Sequence, residues 1–292
     1  KLASVLLLMV AVCLLIAPKN SESLENTIIY DLLPFGMEED RQVFVPTFDV
    51  VPVTADGVLS DLLLPKSIEK AKQFESPHED KLRILIYHTH LTEAYRQEET
   101  GKYKESGEYR TFDEAYNLSA VGEVLKSELE KLGHEVIHDK TNHEPPKLST
   151  AYERSVKTME KYDGIDLYID LHRDASGPSN TDDVVVINGE RCARMMFVVG
   201  QGIRSDGTEY DPKPNFEKTF SLAETISENV KAYDEAFMRD TRIKNGRYNQ
   251  HISDNCILVE VGHNMNTLTE AKNAVGYLAR AIDKTFVSDA EG

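Results

Sequence analysis

From residue 81 the chain alternates between short continuous apolar runs and longer stretches whose apolar positions recur every three or four residues. Leu82–Tyr87 (LRILIY) is short, unbroken and rich in Ile and Leu, the pattern of a strand buried on both faces. Asn117–Leu132 sets Leu118, Val121, Val124, Leu125, Leu129 and Leu132 on one stripe, which predicts an amphipathic helix. Gly133 is a natural stop for it. His134–His138 reads as a strand, Leu148–Tyr162 as a helix, and Ile165–Leu171 and Arg194–Val199 as strands. Phe216–Met238 reads as helix in one or two pieces, Ile257–Val261 as a strand and Leu268–Phe286 as the last helix. Strands alternating with helices predict an α/β fold, a three-layer sandwich with a mostly parallel central sheet and helices on both faces. In such sheets functional groups gather beyond the carboxyl ends of the strands.

The residues before this domain follow a different pattern. Leu2 to Pro18 is almost wholly apolar and carries no charge from Leu2 to Ala17. A bilayer is crossed by ~17–25 such residues. Residues 1–18 are therefore read as a signal anchor rather than a cleaved signal peptide, because Ala17-Pro18-Lys19 makes a poor cleavage site. That reading tethers the chain to the cell membrane by a single pass, with the rest on the extracytoplasmic side. Residues 19–80, with Pro34, Pro46, Pro52, Pro65 and Pro77 and weak periodicity, read as a linker with some local structure, including a short helix at 60–75. The domain then spans 81–286, and 287–292 is a tail.

Charge narrows the partners. Lys and Arg number 33 against 50 Asp and Glu, a net charge of −17. So acidic a balance argues against nucleic acid and against docking on anionic lipid, both of which need cationic surface. The Cys residues are Cys13, Cys192 and Cys256, too few for a disulfide framework or a Cys-rich zinc site.

Ionisable residues cluster where the sheet argument places function. The first strand runs out through His88-Thr89-His90-Leu91-Thr92-Glu93, the third through Asp170-Leu171-His172-Arg173-Asp174, and a later one carries Glu260. Singly, a His after a strand is more often a packing or capping residue. Together they match a catalytic zinc site, which takes three N/O ligands and a carboxylate beside them as general base. His90, Glu93 and His172 are the expected ligands of Zn2+ and Glu260 the expected base. Residues two apart on a strand share a face, so His88 can also approach the ion if the strand runs on. His90 is preferred because it lies further towards the carboxyl end and in register with Glu93, leaving His88 to support the ligands or meet substrate. Arg173 is expected either to hold an oxyanion or substrate carboxylate or to pair with Asp174. Asn249 and Tyr248 are candidates to line the cleft.

Three segments carry a family resemblance: YHTHLTEAY, IDLHRDA and GRYNQHISDNCILVEVGHNMNTLTEA. In order and spacing they resemble the signature blocks of stage II sporulation protein P, over roughly residues 83–284. The resemblance implies the zinc amidase fold and a membrane-anchored peptidoglycan hydrolase. The implied enzyme is a zinc-dependent N-acetylmuramoyl-L-alanine amidase with endopeptidase activity on crosslinked stems. It acts in engulfment during sporulation, with stage II sporulation proteins D and M as partners. His251 stands where the family is expected to prefer an acidic residue. General cell-wall zinc amidases, a more distant likeness, take their carboxylate ligand from the start of the helix after the first strand, which here offers Asp113 and Glu114 in place of Glu93. Two other readings stand beside the amidase. One is a zinc carboxypeptidase, which shares the H-x-x-E plus distant His pattern. The other is a non-catalytic, membrane-anchored peptidoglycan-binding module, which would have no need of Glu260.

Overall fold

The computed structural model describes residues 81–287 apart from positions 178, 181, 205 and 214. The expected anchor at 1–18, the linker at 19–80 with its short helix, and the tail beyond 287 lie outside the described residues. No described helix is long and apolar enough to cross a membrane.

The strands are β1 (Arg83–Tyr87), β2 (Glu135–His138), β3 (Leu167–Asp174), β4 (Val184–Ile187), β5 (Glu190–Ala193), β6 (Met195–Gly200), β7 (Arg242–Lys244) and β8 (Cys256–His263). The helices are α1 (Leu118–Lys131), α2 (Ala151–Met159), α3 (Phe216–Lys231) and α4 (Leu268–Phe286). The main sheet has the order β2-β1-β3-β8-β6-β7. Its first four strands are mutually parallel, β6 runs antiparallel to β8, and β7 runs parallel to β6. The mostly parallel α/β sheet read from the sequence is therefore present. The β4–β5 hairpin is a separate sheet. It turns on Asn188-Gly189, both at positive φ (54° and 84°), as a two-residue hairpin requires.

The two faces of the sheet are covered unequally. Ile84 and Ile86 of β1, Leu167, Ile169 and Leu171 of β3 and Ile257, Val259 and Val261 of β8 join one core with the apolar stripes of α1, α3 and α4. The alternate residues face the other way. Leu85, Tyr87, Tyr168 and Cys256 pack with Met159 of α2, and Met196, Val198 and Leu258 pack with Tyr152 of the same helix. Near the carboxyl ends of the strands this thinly covered face carries Asp170, His172 and Glu260, which continue the alternation. The β3–β8 register sets His172 opposite Glu260 and then slips, with Asp174 opposite His263. The extra residue falls on β8 around Gly262, at φ +66°. Such a bulge bends the strand end and re-aims the side chains beyond it.

Helix α1 starts where Asn117 accepts a hydrogen bond from the Ser119 N–H at 2.9 Å and stops at Gly133, φ +97°. Its Gly122 is needed for space, since a Cβ there would stand 2.5 Å from His138 Nε2 and 3.1 Å from His88 Nε2. Gly122→Ala is expected to destabilise the fold by ~1–3 kcal/mol through overpacking. Thermal unfolding checks this, and an unchanged midpoint would contradict the packing described.

Candidate metal centre

Strand β1 ends at Tyr87, and the chain then turns through Thr89–Thr92 before the isolated bridge between Glu93 and Arg110. The turn separates the two histidines that a continuing strand would have put on one face. His88 stays on the α1 side. Its Nδ1 is 3.0 Å from the Leu171 carbonyl oxygen and its Nε2 is 2.8 Å from His138 Nε2, while His138 Nδ1 reaches Glu123 at 3.0 Å. Burial, with the neighbouring His138 adding, pushes its pKa down to about 3. His88 is thus neutral, donates to Leu171 and supports the backbone of β3; it does not face the cleft.

His90 crosses to the other face. Its ring lies 5.5 Å from that of His172, centroid to centroid. Glu93 Oε2 stands 3.5 Å from His172 Nδ1 and accepts the Arg173 backbone N–H at 3.3 Å. Glu93 Oε1 meets Arg110 Nη2 at 3.3 Å, and Arg110 is shared with Glu144 at 2.8 Å. His90, Glu93 and His172 are 3%, 2% and 4% exposed, so solvent scarcely screens these charges. Burial alone would raise the Glu93 pKa, yet Arg173, His172 and Arg110 outweigh it and hold the carboxyl well below the usual range. Burial lowers His90 to about 4 against the pull of Glu93.

Asp170 also belongs to the group. It lies two residues before His172 on β3, hence on the same face, and its Oδ1 is 3.0 Å from His172 Nε2. Thr89 fixes Asp170 through its N–H at 2.8 Å and its hydroxyl at 2.7 Å. Burial opposes a charge on His172, but Asp170 on one ring nitrogen and Glu93 on the other raise its pKa well above the ordinary value. A carboxylate on the far nitrogen of a metal-binding His sets its tautomer and aims the near nitrogen.

Glu260 stands opposite His172 across the β3–β8 pairing, and its Oε2 is buried without a hydrogen-bond partner among the described residues. Burial, with Asp174 and Glu93 adding, pushes its pKa up to about 8. The Tyr152 ring is close to parallel with that of His172 at 6.5 Å and edge-on to that of His90 at 5.9 Å.

The remaining sequence candidates fall elsewhere. Arg173 is committed to the scaffold: Nε donates to the Ala94 carbonyl at 3.0 Å, Nη1 to Asp174 O at 3.2 Å and Nη2 to Tyr109 O at 3.0 Å. It ties the 94–109 loop to β3, and Asp174 pairs instead with Arg239 at 3.0 Å and Arg242 at 3.6 Å. Asn249, at φ +55°, donates to the Tyr152 carbonyl at 2.8 Å and to Ser155 Oγ at 3.0 Å, anchoring the start of α2. Asp113 and Glu114 are exposed; Asp113 accepts from Ala115 N at 3.0 Å and Glu114 pairs with Lys140 at 3.3 Å. It is Glu93 that stands beside His172.

Among the described residues no three His, Cys, Asp or Glu side chains are already drawn in tightly enough to hold a metal ion. The donor set nevertheless fits zinc. Two imidazoles and one carboxylate make a catalytic-type ligand set, and a neighbouring dication would stabilise the ionised form of Glu260, whose buried Oε2 has no partner among the described residues. His172 holds its ring between two carboxylates as an imidazolium would; ligation requires that it give up the Nδ1 proton.

Comparison with known proteins adds the family. The family model of stage II sporulation protein P matches residues 58–283. The chain belongs to that family. His90, Glu93, Asp170, His172 and Glu260 all lie inside the matched span. Stage II sporulation protein P of Bacillus subtilis strain 168 is 27% identical over 265 residues, covering 86% of this chain and 60% of the relative. The chain thus spans about three-fifths of the length of the curated family member it matches. Among solved structures, Ami1, an N-acetylmuramyl-L-alanine amidase from Mycobacterium smegmatis, overlays with a TM-score of 0.42 at 13% identity, covering 71% of this chain and 96% of its own. The catalytic domain of CwlV, an N-acetylmuramoyl-L-alanine amidase from Bacillus (Paenibacillus) polymyxa var. colistinus, overlays with a TM-score of 0.41 at 16% identity, covering 70% and 95%.

Proposed function

We propose that this stage II sporulation protein P family member is a peptidoglycan hydrolase: a zinc-dependent N-acetylmuramoyl-L-alanine amidase, with endopeptidase activity on crosslinked stems, that works during engulfment. The observation that carries the reading is the convergence of His90, Glu93 and His172 beside the buried, unpartnered carboxylate oxygen of Glu260. His90, Glu93 and His172 would hold the metal. When bound, Zn2+ supplies Lewis acidity to the amide carbonyl and to the attacking water.

The rest of the chemistry belongs to the side chains. The water oxygen adds to the carbonyl carbon while its proton passes to Glu260. Glu260 returns that proton to the departing nitrogen as the C–N bond breaks, leaving a carboxylic acid on the muramic side and a free amine on the stem peptide. Acid–base help of this kind is worth ~10²–10⁴-fold. Asp170 fixes the His172 ring from behind, and Arg110 and the Arg173 N–H fix Glu93.

The setting belongs to the same reading. The apolar 1–18 segment would anchor the chain in the cell membrane with the domain outside, and stage II sporulation proteins D and M would be its partners. The net charge of −17 repels anionic wall polymers, so productive engagement would depend on a partner that prepares the glycan.

Purified crosslinked peptidoglycan separates the alternatives. Free stem peptides released from the glycan are expected. Release of single terminal residues would instead indicate a zinc carboxypeptidase, and binding without any product a non-catalytic module.

A further inference from the structure

The site has a ligand-bearing floor on the sheet and a wall contributed by α2. Tyr152 is the aromatic residue of that wall. Besides its contacts with the His90 and His172 rings, it meets Tyr248 edge-on at 5.4 Å. Its backbone is pinned by Asn249, which also binds Ser155, and Ser155 Oγ is 2.9 Å from Thr89 Oγ1 in the turn that delivers His90. Tyr248 and Asn249 both hold left-handed backbone, φ +50° and +55°, a conformation that persists in such residues only where the surroundings enforce it. Glycines at 200 and 246 provide the room: a Cβ on Gly246 would stand 2.9 Å from the Tyr248 ring, and one on Gly200 would run into the Gly246 carbonyl. The chain has thus built a rigid support behind one phenol.

The Tyr152 ring stands over two of the expected ligands, 5.9 Å from the His90 ring and 6.5 Å from that of His172. The carboxylates of Asp170, Glu260 and Glu93 all act on it electrostatically, and no described residue accepts a hydrogen bond from its hydroxyl. Two of the neighbouring guanidinium groups are already engaged: Arg173 donates to three carbonyls and Arg110 is divided among Thr92, Glu144 and Glu93. Arg239 gives Nη1 to Asp174, and its Nε and Nη2 are buried without a partner among the described residues. A developing oxyanion needs a fixed, uncommitted donor in a site of low dielectric, and Tyr152 meets that description.

We propose that Tyr152 is a catalytic residue whose hydroxyl donates a hydrogen bond to the carbonyl oxygen of the scissile amide, tightening as that oxygen takes up negative charge. The proposal rests on the hydrolytic reading above. It moves no proton: the hydroxyl keeps its hydrogen throughout, and the proton of the attacking water still travels through Glu260 to the leaving nitrogen. The substrate class it selects is a secondary amide, whose carbonyl oxygen gains a full charge on attack.

Tyr152→Phe keeps the ring against both histidines and removes only the donor. Its kcat on a muramyl peptide is expected to fall ~10²–10³-fold, the loss typical of one oxyanion donor, with KM little changed. Affinity for a phosphinate analogue of the tetrahedral state, measured by calorimetry, should fall with kcat. Zinc content and the thermal midpoint should match wild type. A Tyr152→Phe enzyme that retains wild-type kcat, or one that loses zinc in proportion to activity, would overturn the assignment. Wild-type protein that releases nothing from the muramyl peptide would instead overturn the hydrolytic reading itself, so the two failures are told apart.

Discussion

Glu260→Gln is expected to lower release of stem peptides by at least ~10²-fold, the lower bound for lost acid–base catalysis, while leaving bound zinc unchanged. The substitution keeps the size and shape of the side chain and touches none of His90, Glu93 and His172. Glu260 sits on β8 opposite His172, fixed by the sheet register, so a mutant with an intact sheet still presents the side chain in the same place. Burial already biases this group towards its neutral form, and a neutral amide should fold with little penalty. Glu93 and Asp174 are acidic neighbours that add to this bias. Chromatography of the released peptides together with elemental analysis checks the prediction. Near-normal hydrolysis by Glu260→Gln would remove the mechanism.

Glu93→Gln is expected to have a comparable effect by the opposite route, with zinc occupancy lost and activity lost with it. Glu93 is the carboxylate beside His172 Nδ1 among the described residues. The Gln variant is preferable to Ala because Glu93 accepts from the Arg173 backbone N–H on Oε2 and from Arg110 on Oε1, and an amide oxygen can keep one of these bonds in a side chain of the same size. Arg110 retains Glu144 at 2.8 Å in either case. The fold should therefore persist while one of three ligands loses its charge. Zinc retained at full occupancy in Glu93→Gln, with zinc lost on changing Asp113 or Glu114, would move the ligand to the segment before α1.

The long elements of this fold are legible in the sequence because their patterns are long. Helix α4 runs from Leu268 to Phe286 as its apolar stripe indicates, and the apolar runs of β1, β3, β6 and β8 lie where they read, with ends shifted by one to three residues. The Phe216–Met238 stretch divides into α3 and a short 3₁₀ turn at Glu235–Phe237. The antiparallel direction of β6 is not legible, since a buried strand has the same composition in either direction. The three residues of β7 are too few to carry a pattern. The β4–β5 hairpin carries a signal in Asn188-Gly189, a pair suited to the two positive φ values its turn needs.

The site divides in the same way. His90, Glu93, His172 and Glu260 are visible because strand exits gather chemistry. The separation of His88 from His90 is not, because alternation along a strand says nothing about where the strand stops, and β1 stops at Tyr87. Asp170 carries a signal in its D-x-H spacing on a strand, which puts both side chains on one face. Arg173 reads in the sequence either as a holder of an oxyanion or carboxylate or as a partner of Asp174, but three backbone carbonyls take up its guanidinium. Tyr152 comes from a helix 59 to 62 residues along the chain from Glu93 and His90, and only the sheet topology brings it over their face.

Elemental analysis of the purified wild-type protein tests the central claim most directly. The ligand set of His90, Glu93 and His172 is expected to retain a single zinc ion per chain, removable by a chelator together with the release of stem peptides and restored with it on adding zinc back. Full hydrolytic activity in protein that contains no zinc before or after chelation would contradict it.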